Sequence, residues 1–210
     1  MRAPLAAFDL DGTLNLLPYD LVHALERHGI TTTVEALWSD SWRSLLTRTS
    51  LTSLRVVIEE HLLQRASPDA AAVACARRLV ADGWCVEVWT ARAWHPYGLA
   101  VTQTWLDRMG LGGARVRLTV PGRSKTRCVA QHAPPDLYID DAARQVRALR
   151  AGGVSAAWLI DRPWNRVEQD VPRCATVAEA MAASVADLAF TPRARSHHRS
   201  SAHHRPSIPA

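Results

Sequence analysis

A chain of 210 residues with 48% hydrophobic content can bury the core of one α/β domain carrying an insertion. No run of about 18 apolar residues occurs and MRAPLAAF is too short for a secretory leader, so no membrane contact is expected and a cytoplasmic location is predicted. The net charge of +5 gathers at residues 191–210, where Arg193, Arg195, Arg199 and Arg205 stand without an acid; taking those four away leaves +1, which argues against nucleic-acid binding by the body.

The first predicted element is a strand over 5–8, an apolar run that ends in FDLDGTL, with Asp9 and Asp11 two residues apart and Gly12 directly behind them. Helices are predicted over 18–30 and 33–65, and a helix over 68–82 that Gly83 stops. From there helix and strand alternate. Strands are expected at 85–89, 115–119, 136–139 and 156–160, and helices at 97–109, 124–132, 142–151 and 176–189. This spacing predicts a parallel sheet covered by helices on both faces. The end of the chain, TPRARSHHRSSAHHRPSIPA, is too polar to bury a core and is expected to be disordered. Its two His-His pairs and its arginines leave a metal or nucleic-acid contact open for the tail, against the plainer reading of a solvated segment. The four cysteines are scattered with no CxxC pair, which fits buried thiols in a reducing compartment.

In a parallel sheet the ligand site lies beyond the carboxyl ends of the strands. The residues there are Asp9 and Asp11, then Thr90, Ala91 and Arg92, then Asp140 and Asp141; Lys125, the only lysine among 25 basic residues, begins the helix after the third strand. A carboxylate at a strand end is held rigidly, and Gly12 permits the turn that returns a second carboxylate to the same crevice. One carboxylate can be a nucleophile and another can move a proton. Asp9 with Asp140 or Asp141 makes an oxygen-only set suited to Mg²⁺. Lys125, the Thr90 hydroxyl and nearby backbone N–H groups suit the oxygens of a phosphoryl group.

FDLDGTL, VWTAR, the downstream lysine and LYIDD resemble, in order, the four motifs of the haloacid dehalogenase superfamily of phosphotransferases. The resemblance covers most of residues 5–161. It implies an α/β, Rossmann-like core over 1–16 and 66–190, a small helical cap over 17–65 inserted after the first strand, and a tail over 191–210. It also implies that Asp9 attacks phosphorus and becomes an aspartyl phosphate, and that Asp11 serves as general acid and then general base. Thr90, Ala91, Arg92 and Lys125 would bind the phosphoryl group. Asp9, the Asp11 main-chain carbonyl, Asp140 and Asp141 would hold Mg²⁺, one of the last two directly and the other directly or through water.

IDRPWNR, over 160–166, is similar to a segment of bacterial 5'(3')-deoxyribonucleotidases, which implies a small nucleoside monophosphate as substrate. Trp38 and Trp42, four apart in the cap, would share one helix face, where they either stack on a base or fill the cap core. Beside a phosphatase of another small metabolite, the rival within the enzyme class is a polynucleotide 3'-phosphatase, since VWTAR with the following WLDRMG is also similar to the phosphatase half of polynucleotide kinases. Absence of a GxxxxGK[ST] loop and a near-neutral body count against it. A non-catalytic binding module is the third reading, and the intact set of motif residues counts against that.

Overall fold

The computed structural model describes residues 2–38, 48–131 and 133–190. The sheet is built from β1 (Leu5–Phe8), β2 (Cys85–Thr90), β3 (Arg115–Leu118), β4 (Leu137–Asp140), β5 (Ala157–Ile160) and β6 (Arg173–Cys174). Every pairing is parallel and the strand order is β3-β2-β1-β4-β5-β6. The order reverses direction between β1 and β4, where the chain crosses from one half of the sheet to the other. Crossovers leave on opposite faces there and open a crevice at the carboxyl ends.

Period-two alternation sorts the strand residues. Phe8, Val88 and Ile139 face a core shared with α5 (Ala70–Ala81), α6 (Gly98–Arg108) and α9 (Val177–Phe190). Ala7, Trp89 and Tyr138 face the other core, which α8 (Ala143–Ala151) covers and α7 (Thr126–Gln131) flanks. Both faces of the central strands are therefore buried, as the near-continuous apolar runs require. The α/β class and the five strands expected at 5–8, 85–89, 115–119, 136–139 and 156–160 agree with the structure to within a residue. The two-residue β6 was not foreseen, being too short to show a pattern.

Between β1 and α5 lie α1 (Leu17–Arg27), α2 (Val34–Trp38), α3 (Arg48–Glu59) and α4 (Leu62–Arg65). The continuous helix expected over 33–65 is thus in pieces. One break is explicit: His61 has φ +52°, so its carbonyl direction reverses and α4 starts anew. Asp69, not Pro68, opens α5; its carboxylate accepts from the Ala72 N–H at 3.1 Å as an N-cap. Among the described residues, no helix is long and apolar enough to cross a membrane. The tail at 191–210, its expected disorder included, lies outside the described residues.

Candidate active site

The carboxyl ends of β1, β2 and β4 bring the motif residues together. Asp9, Thr90, Lys125, Asp140 and Asp141 are all buried, and they line one cavity of about 380 Å³ with Asp11 and Arg92. Lys125 Nζ donates to Asp9 and, at 2.7 Å, to Asp140. The lysine backbone N–H is fixed by the Gln145 side-chain oxygen at 2.9 Å. Asp140 also accepts from the Tyr138 hydroxyl and from the Ala142 N–H at 2.8 Å. Asp141 accepts from the Trp164 indole at 2.9 Å, and Asn165 donates to the Asp141 carbonyl at 2.8 Å and to the Ile160 carbonyl at 2.9 Å.

Backbone geometry explains the glycine after the two aspartates. Gly12 has φ +91°, and a Cβ there would lie 2.4 Å from Asp141 Oδ2. Both the left-handed turn and the close approach to Asp141 demand glycine. Arg162 braces the same turn, donating to the Gly12 carbonyl at 2.7 Å and to Asp69 at 2.7 Å.

The electrostatics are those of an overloaded site. Asp9, Asp140 and Asp141 can each offer an oxygen such that all three lie within 4.8 Å of one another. Burial pushes Asp9 up to about 7, because it and the charges of Asp140 and Asp11 outweigh the attraction of Lys125. Burial and the charges of Asp9 and Asp140 push Asp141 well above the usual carboxylate range. Burial alone would lower Lys125, but the charges of Asp140 and Asp9 hold it above its ordinary value. One ammonium does not balance three carboxylates. An oxygen-only, buried and under-neutralised set fits a hard divalent cation, which would be held by Asp9, Asp140 and Asp141.

The Thr90 hydroxyl is fully buried with no hydrogen-bond partner among the described residues, although it lines the cavity. A buried hydroxyl without a partner is costly unless a ligand supplies one. Asp11 is placed differently from Asp9. Its carboxylate accepts from Arg92 Nε at 2.8 Å, from a second Arg92 nitrogen, and from the Asn15 amide at 3.0 Å. The remaining Arg92 nitrogen donates to the Leu63 carbonyl in α4 at 3.0 Å and to Thr102 in α6 at 3.3 Å. Arg92, read from sequence as a phosphate ligand, therefore turns its guanidinium to Asp11, α4 and α6. Gly98 packs closely against the backbone of Arg92: a Cβ there would stand 2.2 Å from the Arg92 carbonyl. Ala91 lines the cavity. Trp42 and the side chain of Trp38 lie outside the described residues.

Leu17, Leu21, Leu37, Val57 and Leu63 of α1–α4 form an apolar wall of the cavity. Sequence reasoning missed Tyr138, Gln145, Asn15 and Arg162. Tyr138 was in principle detectable: two residues before Asp140 on the strand, it shares that residue's face. Trp164, within the IDRPWNR segment, holds Asp141 directly.

No protein-family model and no curated protein matches the chain. Solved structures do. A haloacid dehalogenase-family hydrolase from Deinococcus radiodurans, with phosphate and sodium bound, is similar with a TM-score of 0.55 and 17% identity, over 89% of this chain and 96% of that one. CbbY from Rhodobacter sphaeroides, in complex with phosphate, gives 0.52 and 14%, over 85% and 95%. Protein Tyrosine Kinase A from Mycobacterium tuberculosis gives 0.58 and 18%, over 88% and 99%. The chain has the Rossmann-like fold of the haloacid dehalogenase-type hydrolases.

Proposed function

We propose that the protein is a haloacid dehalogenase-type, Mg²⁺-dependent phosphomonoester hydrolase acting on nucleoside monophosphates. The observation that carries this reading is the buried Asp9–Lys125–Asp140 contact, with Asp141 and the unpartnered Thr90 hydroxyl around one cavity. Mg²⁺, when bound, would offset the charge of the carboxylates and of the phosphoryl oxygens.

Lys125 orients the Asp9 carboxylate, whose free oxygen attacks phosphorus. The Asp9 O–P bond forms as the bond to the ester oxygen breaks. Asp11 gives its proton to that departing oxygen, so an alcohol leaves. Asp11 then takes a proton from water, which attacks phosphorus and releases inorganic phosphate and the Asp9 carboxylate. Thr90 and Lys125 donate to the phosphoryl oxygens throughout. Arg92 and Asn15 hold the Asp11 carboxylate at the cavity; for these transfers one of its oxygens turns from Arg92 to the ester oxygen or the water. The segment 17–65 acts as a cap, and its apolar wall excludes water from the reacting centre. Nucleotide selectivity is supported by that wall and by the similarity of IDRPWNR to the deoxyribonucleotidase segment. With no membrane-spanning helix among the described residues, a cytoplasmic location goes with this reading.

The test is phosphate release from a panel of deoxy- and ribonucleoside monophosphates, sugar phosphates and an aryl phosphate, with Mg²⁺ and with chelator. Turnover that requires Mg²⁺ and favours nucleotides is expected. Equal rates on all esters would remove the nucleotide assignment, and no turnover of any would remove the hydrolase.

A further inference from the structure

Two cations at the mouth of the site have no part in the chemistry above. Arg123 and Arg144 line the same cavity as Asp9 and Lys125, and both are exposed. Neither pairs with a carboxylate among the described residues, whereas Arg117, Arg147, Arg162 and Arg173 all do. The Arg144 side chain and the Arg123 backbone are nevertheless held in place. Arg144 donates to the Gly122 carbonyl at 3.0 Å, and the neighbouring Gln145 amide donates to the Arg123 carbonyl at 3.0 Å. Gln145 also accepts from the Lys125 N–H at 2.9 Å. Three hydrogen bonds thus clasp the loop 122–125 to the start of α8, and they hold the Arg144 side chain and the Arg123 backbone beside Lys125.

Arg144 also breaks a local rule. It stands in the first turn of α8, which has no acidic residue there and whose N-cap, Ala142, makes no side-chain cap. A helix start favours anions and disfavours cations. A residue that opposes its helix at the rim of a cavity is the kind of local inconsistency that binding compensates. Arginine is also the side chain best matched to phosphate, through its planar fork.

We propose that Arg123 and Arg144 form a subsite for a second phosphate of the substrate, beside the phosphoryl group attacked by Asp9. This rests on the phosphatase reading and moves its preferred substrate from a nucleoside monophosphate to phosphomonoesters that carry another phosphate anion. That anion is either a terminal phosphate, as in a nucleoside bisphosphate, or the diester link of a short oligonucleotide with a phosphorylated end.

The test compares kcat/KM for a nucleoside 5'-monophosphate, a nucleoside 3',5'-bisphosphate and a dinucleotide bearing one terminal phosphate. Wild type is expected to favour a second-phosphate substrate by about tenfold or more. The double variant Arg123→Gln, Arg144→Gln is expected to bring that ratio towards one. Preference for the bisphosphate alone assigns a terminal phosphate, and preference for the dinucleotide assigns the diester. A ratio near one in wild type, or one unchanged in the double variant, overturns the subsite. Equilibrium binding of the same esters to Asp9→Asn reads the subsite without turnover. There, loss of the second phosphate is expected to weaken binding about tenfold, and equal affinities overturn the proposal. Absent turnover of every ester by wild type would instead overturn the hydrolase reading, while the binding ratio still decides the subsite.

Discussion

Two charge clusters are built into the same sheet, and they differ in sign of strain. On β2, Glu87 is buried but fully answered. Arg117 meets it with two nitrogens, one at 2.7 Å, and the Trp89 indole donates at 2.8 Å. Burial would raise Glu87, yet the hydrogen bonds of Arg117 and Trp89 and the charges of Arg117 and Arg115 hold it below its ordinary value. At the carboxyl ends of β1 and β4, Asp9 and Asp141 are raised instead, because burial disfavours their charge and three carboxylates share one lysine. The first arrangement is self-contained. The second is incomplete without a ligand, and unbalanced titratable groups in a cavity mark a functional site.

Replacements should separate the two clusters. Asp9→Asn is expected to lower turnover by on the order of a thousandfold or more while leaving the folded circular dichroism spectrum intact. Measurable turnover near the parent rate would remove Asp9 as nucleophile. Lys125→Met is expected to lower turnover about a hundredfold or more. It should also destabilise the metal-free protein by about 3 kcal/mol, read by denaturant titration, because it leaves buried carboxylates unpaired. Glu87→Gln should do the reverse: it is expected to cost roughly 2–3 kcal/mol of stability by the same titration, with turnover within about twofold of the parent. A large loss of rate from Glu87→Gln would show that the two clusters are coupled.

Acid should act oppositely on them. Asp9 is raised in the folded protein from 3.8 to about 7, so its contribution to metal-free stability is full below its unfolded value and is lost as pH rises through about 7. Glu87 is lowered from 4.5, so its contribution is present above that value and is lost as pH falls through its folded value. Melting curves with and without Mg²⁺ are expected to show a larger metal-induced shift at pH 8 than at pH 5. An equal shift at both would separate metal binding from these carboxylates. The smallest effect is expected from Trp164→Phe, which removes the indole donor to Asp141. Metal affinity should fall about tenfold, measured by titration calorimetry.

Much of this was legible in the chain. Asp9, Thr90 and Asp140 sit at or beside strand ends that short apolar runs announce, and the parallel topology brings such ends together whatever lies between. Lys125 stood out as the lone lysine. The helices between β1 and α5 were not legible in the same way. The run over 33–65 keeps helical spacing through Glu59, Glu60 and His61, with no Gly or Pro to mark the left-handed break at His61. The partner of Arg92 was also hidden. A guanidinium beside a strand end can reach a phosphate or a carboxylate, and only the fold decides that Asp11 and the Leu63 carbonyl take it. Tyr138 and Gln145 act through contacts 2 and 20 residues away in sequence, and neither carries a motif of its own.

Rapid acid quench during turnover of a ³²P-labelled nucleoside monophosphate, followed by peptide mapping, tests the nucleophile directly. Base-labile label confined to the peptide that contains Asp9, and absent from Asp9→Asn, is the predicted result. Steady turnover with no labelled protein, or label on a peptide from elsewhere in the chain, would contradict it.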